Sequence, residues 1–460
     1  MTNFSDILRE VPDYREFLTV DELNTNSEAL AKDHSDIVRL LDLGNSSNGE
    51  PIRCLSIGNG RNRALIYGFP NPEEPLGGVL LDYFSEAIVK NRPLLKRLDF
   101  TWYLIKCIDP DGARRNQGFV KGPLTPLNFA ENYYRKPQAL SGEFNFPYRI
   151  ADLDLNNPLP ETKALMTIMD STSLDLISSL HNWKWGGIYY RVSEPCPQLY
   201  AHFQQLAKAH NIYAEKRPFS GTLAPYITLG WFNGIRNYIG FRAAGKGPLE
   251  EITGAFTLEY AQLLNPGAFM MVPECGIWYD VRYADDRPSD ASMAEVMSYV
   301  HQVASETGEF ILSLYEKAKP LLKKPSPFLE MVQHHVSELR SNKINTYVLD
   351  PELGKEQLER RATLGDKIAT EGRADVYRLF NLGGMIRMFD DQLAKQAQDR
   401  STLESYRSEA AEKLEEWNRT VGEKYDLKCY PIRDLVSVGL GSILYSAEYV
   451  KRKRKWIHWI

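Results

Sequence analysis

The run TWYLIKCI (Thr101–Ile108) is nearly continuous in apolar residues, with no polar alternation to mark a wet face. A strand covered on both faces reads this way. That reading points to helices packed on each side. The surrounding chain supplies them. Leu80–Val89 has helical spacing before the strand, and the order then repeats: Thr162–Met169 helical, Leu174–Leu180 strand-like, Leu199–Ala209 helical and Phe269–Val272 a short apolar strand. Strand, helix, strand is the sequence sign of a parallel α/β sheet. The fold class expected is therefore α/β, with a mixed, largely parallel sheet flanked by helices.

Two further strands, Pro51–Ser56 and Arg63–Tyr67, flank the turn-rich IGNGRN and read as a hairpin-like pair. Upstream, Met1–Leu43 reads as a helical preface, with Ile37, Leu40 and Leu41 at helical spacing. After Pro288 the character shifts to long amphipathic helices. Met293, Val296, Met297, Val300 and Val303 keep one stripe, and Phe328–Leu339 and Leu403–Trp417 continue the pattern. With 460 residues the chain exceeds what one core usually spans. A division is expected near Arg287, giving an α/β unit over 1–287 and a helical C-terminal extension over 288–460.

Charge excludes some functions. The formal net charge is −5, from 55 basic and 60 acidic residues, so no broad cationic field exists for nucleic acid. The five cysteines are odd in number, far apart and without a CxxC pair, which fits neither a disulfide framework nor a thiolate zinc site. The N-terminal stretch has no apolar signal-like region, and no window reaches the length of a membrane span. The expectations are a cytoplasmic protein, with no nucleic acid and no membrane among its partners. The basic and aromatic tail VKRKRKWIHWI reads as a packed or frayed terminus.

Polar residues just after predicted strands are the candidates for chemistry, because rigid strand ends hold them around a cleft. Four places qualify: Asn71–Glu74 after ALIYG, Asp109–Asn116 after TWYLIKCI, His181 after DLISSL and Glu274 after FMMV. A carboxylate such as Glu274, in partly dry surroundings, gains basicity. The pair His334–His335 lies in a helical stretch, where neighbours point about 100° apart and do not share a metal, so a surface role is expected.

In order, the phrases YGFPNPEEPLG, IDPDGARRNQGF, PLPETKALM, SLHNWKWGG and MVPECGIWYD resemble the carboxypeptidase A-like zinc metallopeptidases, and IRDLVSVGLGSIL resembles the end of the helical extension in their bacterial branch. The resemblance implies a zinc cofactor held by a His-x-x-Glu motif and a later histidine, with a distant glutamate as general base. Three protein ligands leave an open position, and zinc brings the pKa of a bound water to roughly 7. By that resemblance Glu74 and His181 fall on metal-ligand positions and Glu274 on the base. Where the family has its first histidine this chain has Asn71, followed by Pro72, Glu73 and Glu74. An amide oxygen is a much poorer zinc ligand than imidazole. Three readings stay open: a weakened site of Asn71, Glu74 and His181, with Glu73 substituting; a site that has lost its metal; or an engineered substitution.

The family also docks a substrate carboxylate on arginine, whose fork matches it bidentately. Arg114 is the best match, with Arg115 beside it. The family's Asn-Arg pair is replaced by Asn156 and Asn157, which leaves Arg135 or Arg149 to supply charge from another loop. The activity implied is metal-dependent hydrolysis of an amide bond in a small peptide-like or acyl-amino-acid substrate. The alternatives are a ligand-binding protein on the same fold, or acyl chemistry without metal.

Overall fold

The structure is a computed structural model describing residues 4–150, 153–216, 222–224, 226–229, 253–340, 355–395 and 398–457. In chain order its strands are β1 (Val38–Asn45), β2 (Pro51–Ile57), β3 (Asn62–Tyr67), β4 (Phe100–Ile105), β5 (Tyr148–Ile150), β6 (Leu153–Leu155), β7 (Leu176–Ser179), β8 (His181–Trp185), β9 (Ile188–Val192), β10 (Thr222–Ala224), β11 (Ile227–Leu229), β12 (Phe269–Asp280), β13 (Pro288–Ser292), β14 (Arg361–Thr363) and β15 (Leu427–Cys429). The longer helices are α1 (Val20–Asp33), α2 (Leu76–Lys90), α3 (Pro160–Ser171), α4 (Pro197–Ala209), α5 (Met293–Ala318), α6 (Pro327–Arg340), α7 (Leu364–Lys395), α8 (Arg400–Lys424) and α9 (Ile432–Ile457).

The main sheet runs β1-β2-β4-β3-β7-β12-β9-β11-β10, with β8 and β15 also pairing β12. Its centre is parallel: β4 with β3, β3 with β7, and β7 and β8 with β12. Antiparallel pairs flank it, β1 with β2 and β2 with β4 on one side and β9 with β12 on the other. This is the mixed α/β sheet expected, and the apolar runs have the expected cause. Ala64 and Ile66 of β3 belong to one buried cluster and Leu65 and Tyr67 to another, so alternate side chains enter cores on opposite faces.

Two expectations fail at the N-terminal side. Val38–Asn45 is a strand, not helix, so the helical preface ends with α1, which a Thr19–Glu22 capping box begins. Leu40 and Leu41 sit at helical spacing, but pairing with Leu55 and Cys54 decides their state. The strands around IGNGRN are also no hairpin, because β4 inserts between them and pairs with both.

After Arg287 the described residues are mainly helical, as expected, with the small β13–β14 ladder and β15 added among them. The core is continuous across that point. Phe380 of α7 packs on Phe129 with ring centroids 4.6 Å apart, and both join the cluster that contains Trp102 and Ile66. Helix α9, which carries IRDLVSVGLGSIL, returns to the α/β side: Tyr449 meets Phe269 of β12, and Val436, Ile443 and Leu444 are fully buried. Of the tail, Lys453 pairs with Glu194 at 2.6 Å, and residues 458–460 lie outside the described residues. No described helix is long and apolar enough to cross a membrane.

The closest seat of the helical part is at Gly383 of α7, where an added Cβ would lie 2.0 Å from the backbone oxygen of Ala130. Alanine's better helix propensity is worth only about 1 kcal/mol. The clash is with backbone and has no rotamer escape, and overpacking of this kind costs about 1–3 kcal/mol or more. Gly383→Ala should therefore lower the urea midpoint of unfolding. An unchanged midpoint would show that α7 does not sit against Pro126–Glu131 this closely.

Candidate functional site

The site forms where the central ladder divides. Strands β3 and β7 pair from Ala64 to Tyr67, and Leu180 N–H still donates to Tyr67 O at 3.0 Å. Beyond this point β8 follows β12 alone, while the chain after β3 leaves through Gly68 and Phe69, the latter at φ 53°. Asn71–Glu74 then makes a turn, closed by Glu74 N–H on Asn71 O at 3.1 Å, and enters α2. The turn is pinned from both sides. Leu76 N–H donates to Asn182 Oδ1 at 3.2 Å, and Gly77 approaches so tightly that a Cβ would lie 2.8 Å from both Gly68 Cα and Leu180 Cβ. His181 accordingly opens β8 instead of ending β7, and Glu274 lies inside the long β12, in register with His181, not in a loop after it.

His181 is held between two carboxylates. Its Nδ1 lies 2.8 Å from Glu74 Oε2 and its Nε2 lies 3.2 Å from Glu143 Oε2. Asn71 Nδ2 donates to Glu74 Oε1 at 3.0 Å and lies 3.2 Å from His181 Nδ1. Glu143 is anchored in turn, accepting from Tyr67 and Ser179 hydroxyls, each at 2.6 Å. Burial alone would favour neutral imidazole, but the Glu74 and Glu143 charges outweigh it and hold His181 well above its ordinary value. Burial would likewise push Glu74 up, yet His181, Lys184 and Arg135 together hold it well below the usual carboxylate range.

Two protein cations complete this centre. Lys184 is buried, with its ammonium 3.9 Å from Glu74 Oε1, donating to Asn182 O at 2.9 Å and 5.2 Å from the centre of the Phe129 ring. Arg135 pairs with Glu73 and stands 3.9 Å from Glu74. Glu274 pairs with Arg191 at 3.4 Å.

These residues line one cavity of about 560 Å³. It brings together Asn71, Glu74, His181 and Glu274, and adds Glu73, Arg135, Glu143, Lys184 and Arg191. Its other wall comes from the helical part, through Met331, His334 and His335 of α6 and Tyr377, Phe380 and Asn381 of α7. The expectation of a surface role for His334–His335 is thus overturned, since both reach Glu338, at 3.6 and 3.9 Å, along the cavity wall. A second cavity of about 320 Å³ shares Trp183, His335, Glu338, Tyr377 and Asn381 with the first.

The predicted carboxylate-docking residues go elsewhere. Arg114 is committed to Asp21 at 2.7 Å and Glu50 at 2.8 Å. Arg115 donates to Asp111 O and stacks on Tyr134, and Asn156 is exposed away from the cavity. Arg149 pairs with Asp154 on the surface at 2.9 Å. Of the arginines weighed from sequence, Arg135 alone lines the cavity.

Residues 23–222, which include Asn71, Glu74, Glu143 and His181, match the profile of the zinc carboxypeptidase family. Over this segment, which is under half of the chain, the sequence is similar to that family. No curated protein matches it. Among solved structures, bovine thrombin-activatable fibrinolysis inhibitor in complex with tick carboxypeptidase inhibitor is similar at 12% identity, covering 56% of this chain and 86% of that one, with a TM-score of 0.37. Carboxypeptidase A from Helicoverpa armigera is similar at 15% identity, over 56% of this chain and 64% of that one, with a TM-score of 0.37. A metallo-carboxypeptidase from Burkholderia cenocepacia is similar at 14% identity, over 56% and 60%, with a TM-score of 0.34. The match thus spans less than two thirds of the latter two chains.

The family implies zinc, and the residues present fit it poorly. The Asn71 amide presents an N–H to Glu74 where the family's motif has an imidazole lone pair. Both ring nitrogens of His181 face carboxylates, and among the described residues no group of three His, Cys, Asp or Glu side chains is placed to hold a metal ion. Glu74 already has Lys184 and Arg135 beside it. Unit like charges about 4 Å apart repel by about 4 kcal/mol at an effective dielectric of about 20, so Lys184 and Arg135 would each oppose a cation held against Glu74.

Proposed function

We propose that this protein binds a small peptide-like molecule in the cavity and does so without zinc. The observation that supports this most directly is the charge arrangement: the three carboxylates Glu73, Glu74 and Glu143 face the three cationic side chains His181, Lys184 and Arg135, so the protein itself supplies the countercharge with no metal ion. Its size lies in the range of small-molecule sites, and Tyr133, Phe144, Trp183, Phe256, Tyr377 and Phe380 give it an apolar lining around a few charged groups. A peptide-like molecule has that mixture of hydrogen-bonding amide and apolar side chain.

A second reading, amide hydrolysis with Glu274 as general base, has one observation in its favour: Glu274 lines the same cavity and lies in strand register with His181. One experiment separates the two. Metal content is measured on freshly purified full-length protein, and a library of short peptides and acyl-amino acids is screened for turnover with zinc, manganese or iron supplied. The binding reading expects substoichiometric metal and no chelator-sensitive turnover, with ligands found by calorimetry. Stoichiometric zinc with chelator-sensitive hydrolysis, abolished by Glu274→Gln, would replace it with the hydrolase reading.

A further inference from the structure

Among the described residues, three polar atoms of residues lining the larger cavity are buried with no hydrogen-bond partner, Glu73 Oε2, Ser141 Oγ and His335 Nε2, and Arg191 Nε has only its 3.4 Å ion pair with Glu274. Buried polar atoms in folded proteins are nearly always paired, so orphans gathered on one cavity mark where a bound molecule completes the network. Glu73 is the most informative of them. Its side chain is 1% exposed and lines the cavity, its Oε1 accepts from Arg135 Nη1, and its Oε2 accepts from no group among the described residues. Arg135 is the opposite case: 46% of its side chain is exposed and it lines the same cavity. A guanidinium carries five N–H groups, and one interaction with Glu73 leaves most of that fork for a ligand.

We propose that Glu73 and Arg135 together read a free α-amino acid unit, the ammonium donating to Glu73 Oε2 and the adjacent carboxylate accepting from the Arg135 fork. The pairing selects both charges at once. A simple amine brought to Glu73 would be repelled by Arg135, and a simple carboxylate brought to Arg135 would be repelled by Glu73. A zwitterion, with its two charges on one carbon, turns both repulsions into attractions. The aromatic lining near Tyr133 and Tyr377 then takes the side chain. The sequence alone offers Arg135 as one source of carboxylate-docking charge but does not pair it with Glu73, and Arg114, the best match to the family's arginine, is tied to Asp21 and Glu50.

This assignment rests on the reading of the cavity as a ligand site, and its test is independent of zinc. Calorimetry on the full-length protein compares free L-leucine and L-phenylalanine with their N-acetyl and C-amide derivatives at neutral pH. The free amino acids should bind about 10- to 100-fold more tightly than either derivative, the range a charge-assisted hydrogen bond carries. Glu73→Gln should erase the preference over the N-acetyl form, and Arg135→Gln the preference over the amide. Equal affinity for free and blocked ligands, no binding by either amino acid, or a preference that survives Glu73→Gln overturns the proposal. The ligand comparison on the natural protein decides the matter even where a variant fails to fold, and thermal melting identifies such a variant. Chelator-sensitive turnover would instead count against the metal-free reading of the cavity and leave this recognition intact.

Discussion

A chain carrying both Asn71→His and Lys184→Met should bind zinc at least about 10- to 100-fold more tightly than the natural protein. That range is the usual worth of a single outer-shell partner, and here a ligand itself is restored. The single Asn71→His change should gain less, because the buried Lys184 ammonium remains 3.9 Å from Glu74 and keeps repelling the ion. Methionine preserves the length and the packing on Phe129 while removing the charge. Zinc titration against a competing chelator, run on the natural protein, both single variants and the double variant, gives the coupling between the two sites. If the double variant is no tighter than the natural protein, Asn71 is not the position that removed the metal. If Asn71→His alone recovers the whole gain, Lys184 has no part in excluding the ion.

What could be read from the sequence divides along the range of the interactions. The parallel centre was legible because TWYLIKCI and ALIYG must be buried on both faces, and that requirement is written in consecutive residues. The pairing order was not. Asn62–Tyr67 follows Pro51–Ile57 closely in the chain, yet β4, some forty residues on, lies between them, and nothing local reports that. Val38–Asn45 misled for a related reason. An edge strand with one wet face carries mixed burial, and its few apolar residues fit either period.

The site divides in the same way. Asn71, Glu74, His181 and Glu274 stood out because each follows or interrupts an apolar strand, and all four line the cavity. Glu143, which holds the far nitrogen of His181, comes from the short 3-10 helix Gly142–Phe144, where its hydrogen bonds from the Tyr67 and Ser179 hydroxyls mark it. Lys184 was visible inside NWKWGG, but alternation in a strand says which face it takes, not that Glu74 waits on that face. Arg114 failed for want of partners in the sequence: Asp21 and Glu50 are distant in the chain and claim its guanidinium. A surface role for His334 and His335 followed from the angle of about 100° between helical neighbours, which keeps them from sharing a metal, but that angle does not report that α6 closes over the cleft of another part of the chain.

That closure depends on how α7 is held, and among the buried carboxylates that join it to its neighbours Asp375 has the most partners from other helices. Asp375 is fully buried in α7. It accepts from the Tyr299 hydroxyl of α5 at 3.0 Å, from the Tyr425 hydroxyl just past α8 at 2.7 Å and from the Lys424 ammonium of α8 at 3.0 Å, with Arg378 at 3.5 Å. Asp375→Ala removes the acceptor common to all of them and leaves the buried Arg378 without that partner, while Lys424 keeps Glu371 at 3.0 Å. Breaking one side of a buried charge network typically costs about 3–5 kcal/mol, well above the 0.5–1.5 kcal/mol net worth of a neutral hydrogen bond. Asp375→Asn keeps one oxygen acceptor but not the charge, so it should fall between the two. Tyr377 and Asn381 lie on the same helix and line the cavity, so loosening α7 should weaken ligand binding in proportion to the loss of stability. Urea unfolding of the three proteins, paired with calorimetric titration of L-phenylalanine, tests both links. A cost for Asp375→Ala below about 1 kcal/mol would mean that the network is solvated and does not seat α7.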